Sequence, residues 1–120
     1  MEEKTGFNKQ AIHADGVKKD PYGALSVPVY NAAAFEFDSA EAMELAFTGK
    51  TNDFVYARIS NPTVQAFEKR LAIMDGAERA VATSSGMAAV HAICMAYLKA
   101  GDHVICSRAV FGSIIALFEK

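Results

Sequence analysis

At 120 residues the chain has the length of about one domain. Hydrophobic residues make up 52% and charged residues 22%, which allows a packed core and argues against a disordered chain. The formal net charge of -2 offers no basic field for nucleic acid or for an anionic membrane surface.

The start, Met1-Glu-Glu-Lys-Thr-Gly6, is polar and is not a signal peptide. The longest apolar stretch, Met87 to Leu98, is shorter than the ~20 residues of a membrane span, and His91 interrupts it. A cytoplasmic protein is the expectation. Cys94 and Cys106 sit in apolar surroundings and read as buried free thiols, not as a disulfide or a metal site.

Up to about Ala34 the chain has no clear periodicity. Pro21-Tyr-Gly23 and Pro28 punctuate it, and Leu25 to Tyr30 fits an edge strand or an extended arm. Such an arm either lies on a neighbouring subunit or is a loosely ordered terminus. Asp38 and Glu41 form a D-x-x-E start signal, Ala40, Met43 and Phe47 follow at helical spacing, and Gly49 ends a short helix. Lys50 to Ile59 reads as a loop. Asn61 caps the next helix, Pro62 suits its first position, and Gly76 is its left-handed stop. Val64, Phe67, Leu71 and Met74 make its expected apolar stripe.

Ala80–Thr83 predicts a strand, and Gly86–Leu98, apolar almost all round, predicts a buried helix. His103–Cys106 predicts a second strand, followed by a helix from Ile114 to Glu119. Strand, buried helix and strand at this spacing make a βαβ unit with parallel strands and a right-handed crossover. One crossover does not cover both faces of a parallel sheet, so the sequence reads as the first part of a larger chain.

Three places bear chemistry. Ser84-Ser85-Gly86-Met87 joins a strand to a helix N-terminus, where free N–H groups and the helix dipole favour an anion. Plain capping by the serines explains the same residues. Tyr56 and Arg58 alternate on one side of an extended segment and offer a hydroxyl and a guanidinium fork to a phosphate. An ordinary exposed loop is the other reading. Phe111 follows the second predicted strand, where a parallel sheet binds ligands, and is either a ring cover or core. His13, His91 and His103 are scattered and receive no role; His91 reads as a core residue.

In series, Tyr56-Ala-Arg-Ile-Ser-Asn-Pro-Thr63, Phe67-Glu68, Ser85-Gly-Met-Ala-Ala89, Gly101-Asp102 and Val110-Phe-Gly-Ser113 resemble the Cys/Met-metabolism family of pyridoxal-phosphate (PLP) enzymes. The resemblance is to the family's N-terminal part and runs from about Tyr22 to Lys120. It implies an α/β fold, the N-terminal part of a fold-type-I PLP-dependent transferase. That part has an extended arm, then the start of a mostly parallel sheet with helices on both faces. Residues 1–60 would be the subunit-contacting arm and short helix, and residues 61–120 the start of the PLP-binding large domain. The family forms homo-oligomers, dimers of dimers.

The resemblance also implies roles. Gly86 and Met87 offer N–H groups to the PLP phosphate, with Ser85 beside them. Tyr56 and Arg58 reach the phosphate bound in the neighbouring subunit, and Phe111 stacks on the pyridine ring. Many family members have tyrosine where this chain has Phe111, so the stacking is kept and a hydroxyl is lost. Ser107-Arg-Ala-Val-Phe-Gly-Ser113 and Leu117-Phe-Glu-Lys120 are similar to the O-succinylhomoserine sulfhydrylase branch. That branch implies an O-acylhomoserine and sulfide as substrates and homocysteine as product. Cystathionine γ-synthase and methionine γ-lyase are the enzyme alternatives, and a non-catalytic short partner of a full-length relative is the other. PLP chemistry needs a lysine that holds the cofactor. None of Lys4, Lys9, Lys18, Lys19, Lys50, Lys69, Lys99 and Lys120 stands in the family's lysine motif, so no catalytic residue is assigned and the chain as given is expected to be inactive.

Overall fold

The computed structural model describes residues 6–12 and 20–119. His13, Lys4, Lys18, Lys19 and Lys120 lie outside them. The chain divides into two compact units, Met1–Val81 and Ala82–Lys120.

The first unit holds three helices, α1 (Phe7–Ile12), α2 (Ala40–Phe47) and α3 (Pro62–Asp75). Helix α1 is a single short element that the sequence reading missed. It is too brief to show a period, and it is held by packing on α3. After it, Asp20-Pro-Tyr-Gly23 closes a turn. The Asp20 carboxylate accepts from the Tyr22 and Ala24 N–H groups at 2.8 and 3.0 Å. The Gly23 N–H reaches the Asp20 carbonyl at 3.0 Å. Asp, Pro and Gly thus occupy the turn positions that each favours.

Helix α2 starts one residue later than a D-x-x-E reading suggests. Ser39, not Asp38, is the cap, and its hydroxyl accepts from the Ala42 N–H at 3.1 Å. Helix α3 begins as expected: Asn61 caps it, Pro62 occupies the first turn, and Gly76 ends it at φ 65°.

The buried face of α3 differs from the expected stripe. Val64, Phe67 and Leu71 are exposed, while Ala66 and Ala72 are buried with Ala46 and Val55. At 3.6 residues per turn Val64, Phe67 and Leu71 fall within one arc of the helix, and both alanines lie outside that arc. The small residues of α3 are thus the buried ones, and these larger apolar residues stay exposed. Phe35 and Phe54 add a tilted ring pair, with centroids 5.7 Å apart.

The second unit holds α4 (Gly86–Tyr97) and α5 (Gly112–Phe118), which pack together. An apolar groove between them is lined by Val90, Cys94, Leu98, Val104 and Phe118. Helix α4 is not buried as expected. Helix α5 covers one side of it only, and no residue of α4 is buried, His91 included. Cys94 is half-buried and Cys106 is exposed, which corrects the expectation of two buried thiols.

No β-ladder forms among the described residues. The one strand-like pairing is an antiparallel bridge between Ala34 and Tyr56. Ala80–Thr83 and His103–Cys106 carry no ladder, and Val81 and Ile105 are exposed. Both segments have strand composition, but a strand exists only when a neighbour takes its hydrogen bonds. Among the described residues no helix is long and apolar enough to cross a membrane.

Two tests follow from this packing. Gly76→Ala places a Cβ in the left-handed region and should lower the unfolding free energy by about 1 kcal/mol, read as a lower urea midpoint. The Glu41 carboxyl is held below the usual glutamate range, first by a hydrogen bond to its own backbone N–H and then by the Ser39 hydroxyl. Its folded pKa therefore lies below its unfolded one. The stabilisation is present above the unfolded pKa and is lost as pH falls through the folded value. Protection factors across α2, which are corrected for the intrinsic pH dependence of exchange, should fall on acidification through that window, and Glu41→Gln should remove this dependence.

Candidate functional site

The approach to α4 is built for a free helix N-terminus. Ser85 has an extended backbone at φ -161° and ψ 163°, and its hydroxyl accepts from the Ala88 N–H at 3.1 Å. The Thr83 hydroxyl donates to the Ser85 carbonyl at 2.8 Å and fixes the chain just before the cap. The first N–H groups of any helix have no partner within it. Ser85 takes the third of them, and among the described residues no partner is seen for the Gly86 and Met87 N–H groups. Nothing stands within 4 Å of where a Cβ on Gly86 would be, so the backbone is open to close approach. Ser84, Ser85 and Gly86 are exposed, and Met87 is half-buried.

This donor set suits a phosphate. Two backbone N–H groups point along the positive end of the α4 dipole, with serine hydroxyls beside them. Capping and anion binding are not rivals here, because they use different N–H groups of the same turn.

Tyr56 and Arg58 belong to the first unit, and they meet by a different route from simple alternation. The chain is extended at Tyr56 and then turns: the Ile59 and Ser60 N–H groups both reach the Tyr56 carbonyl, at 2.9 and 3.0 Å. That turn brings the Arg58 guanidinium over the Tyr56 ring, 5.5 Å from its centroid. Both residues are exposed. Among the described residues no carboxylate pairs with Arg58, so its fork is available to an anion.

Phe111 stands at the N-terminal end of α5 and makes no side-chain cap. It is 74% exposed, which removes the core reading and leaves a flat aromatic face open. Within the second unit, Ser85, Gly86 and Met87 form one turn, while Phe111 enters from the other helix.

Sequence reasoning found Asn61 as a cap and missed its second task. Asn61 is 7% exposed. Its Oδ1 accepts from the Thr63 N–H at 2.9 Å, and its Nδ2 donates to the Tyr30 carbonyl at 3.0 Å. The asparagine at this cap was the available signal, since aspartate has no donor and serine has one atom for both tasks, whereas the amide accepts at Oδ1 and donates at Nδ2.

Known proteins resemble the chain along nearly all of its length. Residues 8–120 match the family described as Cys/Met metabolism PLP-dependent enzyme. The chain is 42% identical over 118 residues to an O-succinylhomoserine sulfhydrylase of Pseudomonas aeruginosa, covering 98% of this chain and 29% of that protein. It is 41% identical over 114 residues to an L-methionine gamma-lyase of Fusobacterium nucleatum subsp. polymorphum, covering 95% of this chain and 29% of the other. The chain thus spans 29% of the length of these curated relatives. A crystal structure of a putative O-acetylhomoserine (thiol)-lyase from Campylobacter jejuni, containing pyridoxyl-lysine monophosphate, superposes with a TM-score of 0.85 at 28% identity. It covers 94% of this chain and 28% of its own.

Removing the cap is the direct test of the α4 turn. Ser85→Ala should destabilise the protein by about 1 kcal/mol and raise amide exchange at Ala88. Ser85→Asp, which retains an acceptor, should restore most of that stability while repelling an anion.

Proposed function

The chain belongs to the Cys/Met metabolism PLP-dependent enzyme family, and we propose that it carries the cofactor-phosphate-binding part of a cytoplasmic O-acylhomoserine sulfhydrylase. Its fold is the N-terminal part of a fold-type-I PLP-dependent transferase. The proposed reaction replaces the γ-acyloxy group of the substrate with sulfide: the γ C–O bond breaks, a C–S bond forms, and homocysteine and a carboxylate leave.

PLP, when bound, supplies an electron sink next to the substrate amine. The chain's own residues hold it. The Gly86 and Met87 N–H groups and the Ser85 hydroxyl donate to the phosphate. Tyr56 and Arg58 donate to the phosphate held by a neighbouring subunit of a homo-oligomer, and the guanidinium brings a charge that does not titrate near neutral pH. Phe111 covers the pyridine ring. A phenyl group there stacks but cannot carry a proton, so proton transfer at that face falls to other groups. In this reading residues 1–60 serve the subunit contact and residues 61–120 begin the cofactor domain.

The observation that carries the reading is the α4 turn, with two unpaired N–H groups beside an approachable glycine. Methionine γ-lyase is the second reading. It is favoured by the 41% identity to such an enzyme, nearly equal to the 42% to the sulfhydrylase.

The test supplies PLP, an O-acylhomoserine and sulfide to a full-length protein that carries this segment together with a cofactor-holding lysine. Homocysteine is the expected product. Methanethiol from methionine without turnover of the acyl ester would move the assignment to the lyase. Condensation with cysteine instead of sulfide would move it to the synthase. Arg58→Ala should weaken PLP binding about tenfold or more, as loss of a charged phosphate contact does; unchanged retention would remove Arg58 from the site.

A further inference from the structure

The turn that presents Tyr56 and Arg58 is short and exposed, yet both of its stems are tied to one strap, residues 30–35. On the near side the Ala57 N–H reaches the Ala33 carbonyl at 2.8 Å, and the Phe35 N–H reaches the Val55 carbonyl at 3.2 Å. On the far side the bonds come from side chains. The Tyr30 N–H donates to Thr63 Oγ1 at 2.8 Å, and the Tyr30 carbonyl accepts from Asn61 Nδ2 at 3.0 Å. Asn61 and Thr63 therefore satisfy both polar groups of one residue, as a neighbouring strand would.

Asn61 is the buried member of this clasp. Its Oδ1 is engaged by the Thr63 N–H, and its own carbonyl accepts from the Gln65 N–H at 2.9 Å. It joins three things in one place: the α3 cap, the strap and the end of the turn. A buried amide with this many partners is costly to disturb, because each lost partner leaves a desolvated polar group. With the bridge on one side and the clasp on the other, the five residues from Tyr56 to Ser60 are held at both ends.

We propose that Asn61 and Thr63 are positioning residues for the Tyr56–Arg58 pair. They lock the 30–35 strap, which in turn fixes the turn that aims the guanidinium and the phenol at an anion. This rests on the reading of Tyr56 and Arg58 as phosphate ligands. Neither Asn61 nor Thr63 touches the ligand, and their action is through the strap.

The chemistry of the clasp supplies variants that separate its tasks. Asn61→Asp keeps the acceptor for the α3 cap and loses the donor to the Tyr30 carbonyl. Thr63→Val keeps the shape and loses the acceptor for the Tyr30 N–H. Thr63→Ser keeps that acceptor. A full-length protein that carries this segment and a cofactor-holding lysine would be given each variant and titrated with PLP by visible absorbance, and amide exchange would be followed across residues 30–35 and 55–60. Asn61→Asp and Thr63→Val should accelerate exchange in both segments and raise the PLP dissociation constant about fivefold to tenfold. Thr63→Ser should restore both. Faster exchange with unchanged PLP affinity would overturn the proposal, since the clasp would then be structural only. Unchanged exchange would overturn it as well. Arg58→Ala separates the two readings. If it weakens PLP binding while Thr63→Val does not, the positioning role alone fails. If Arg58→Ala changes nothing, the phosphate reading fails and the positioning role falls with it.

Discussion

Backbone N–H and C=O groups must find partners, and the described part of this chain meets that demand mostly within short stretches. The five helices satisfy their interiors. Side chains take up groups left at their ends: Ser39 for α2, Asn61 for α3, Ser85 for α4. Turns use the same device, with Asp20 holding two N–H groups and Asp102 taking the Lys99 N–H at 2.7 Å. Where the demand is met locally, regular structure forms. Where it needs a distant strand, as at Ala80–Thr83 and His103–Cys106, none forms among the described residues. The same rule leaves two N–H groups unclaimed at α4, which is why that turn suits an anion.

The legible parts of the sequence were those governed by local rules. Asn61-Pro62 and Gly76 mark α3 at both ends because capping, proline geometry and a left-handed stop act within a few residues. Ser85-Gly86 marked the start of α4 for the same reason. The face on which each helix packs was less legible. Val64, Phe67 and Leu71 have the right spacing for a stripe, but the buried residues of α3 are Ala66 and Ala72, and spacing alone does not say which face finds a neighbour. Helix α1 was hidden because six residues carry no measurable period.

The site divides in the same way. The α4 turn was readable from its serines and glycine, and the family motifs gave those residues a ligand. The meeting of Tyr56 and Arg58 was expected from alternation but arises from a turn closed on the Tyr56 carbonyl. Their proximity was anticipated and its geometric cause was not. The link from Tyr30 to Asn61 and Thr63 spans about thirty residues of chain, and no local pattern announces a contact of that range. Only the donor–acceptor character of an asparagine at a cap hinted at it.

The buried alanines of the first unit bear on how this segment tolerates change. Ala46, Ala66 and Ala72 are buried, and each fills its place with a single methyl group. A larger side chain at any of those places needs volume that close-packed surroundings do not spare. Divergence among related sequences should therefore be most constrained at positions that look least distinctive. Size, not chemical identity, would be the property under selection there.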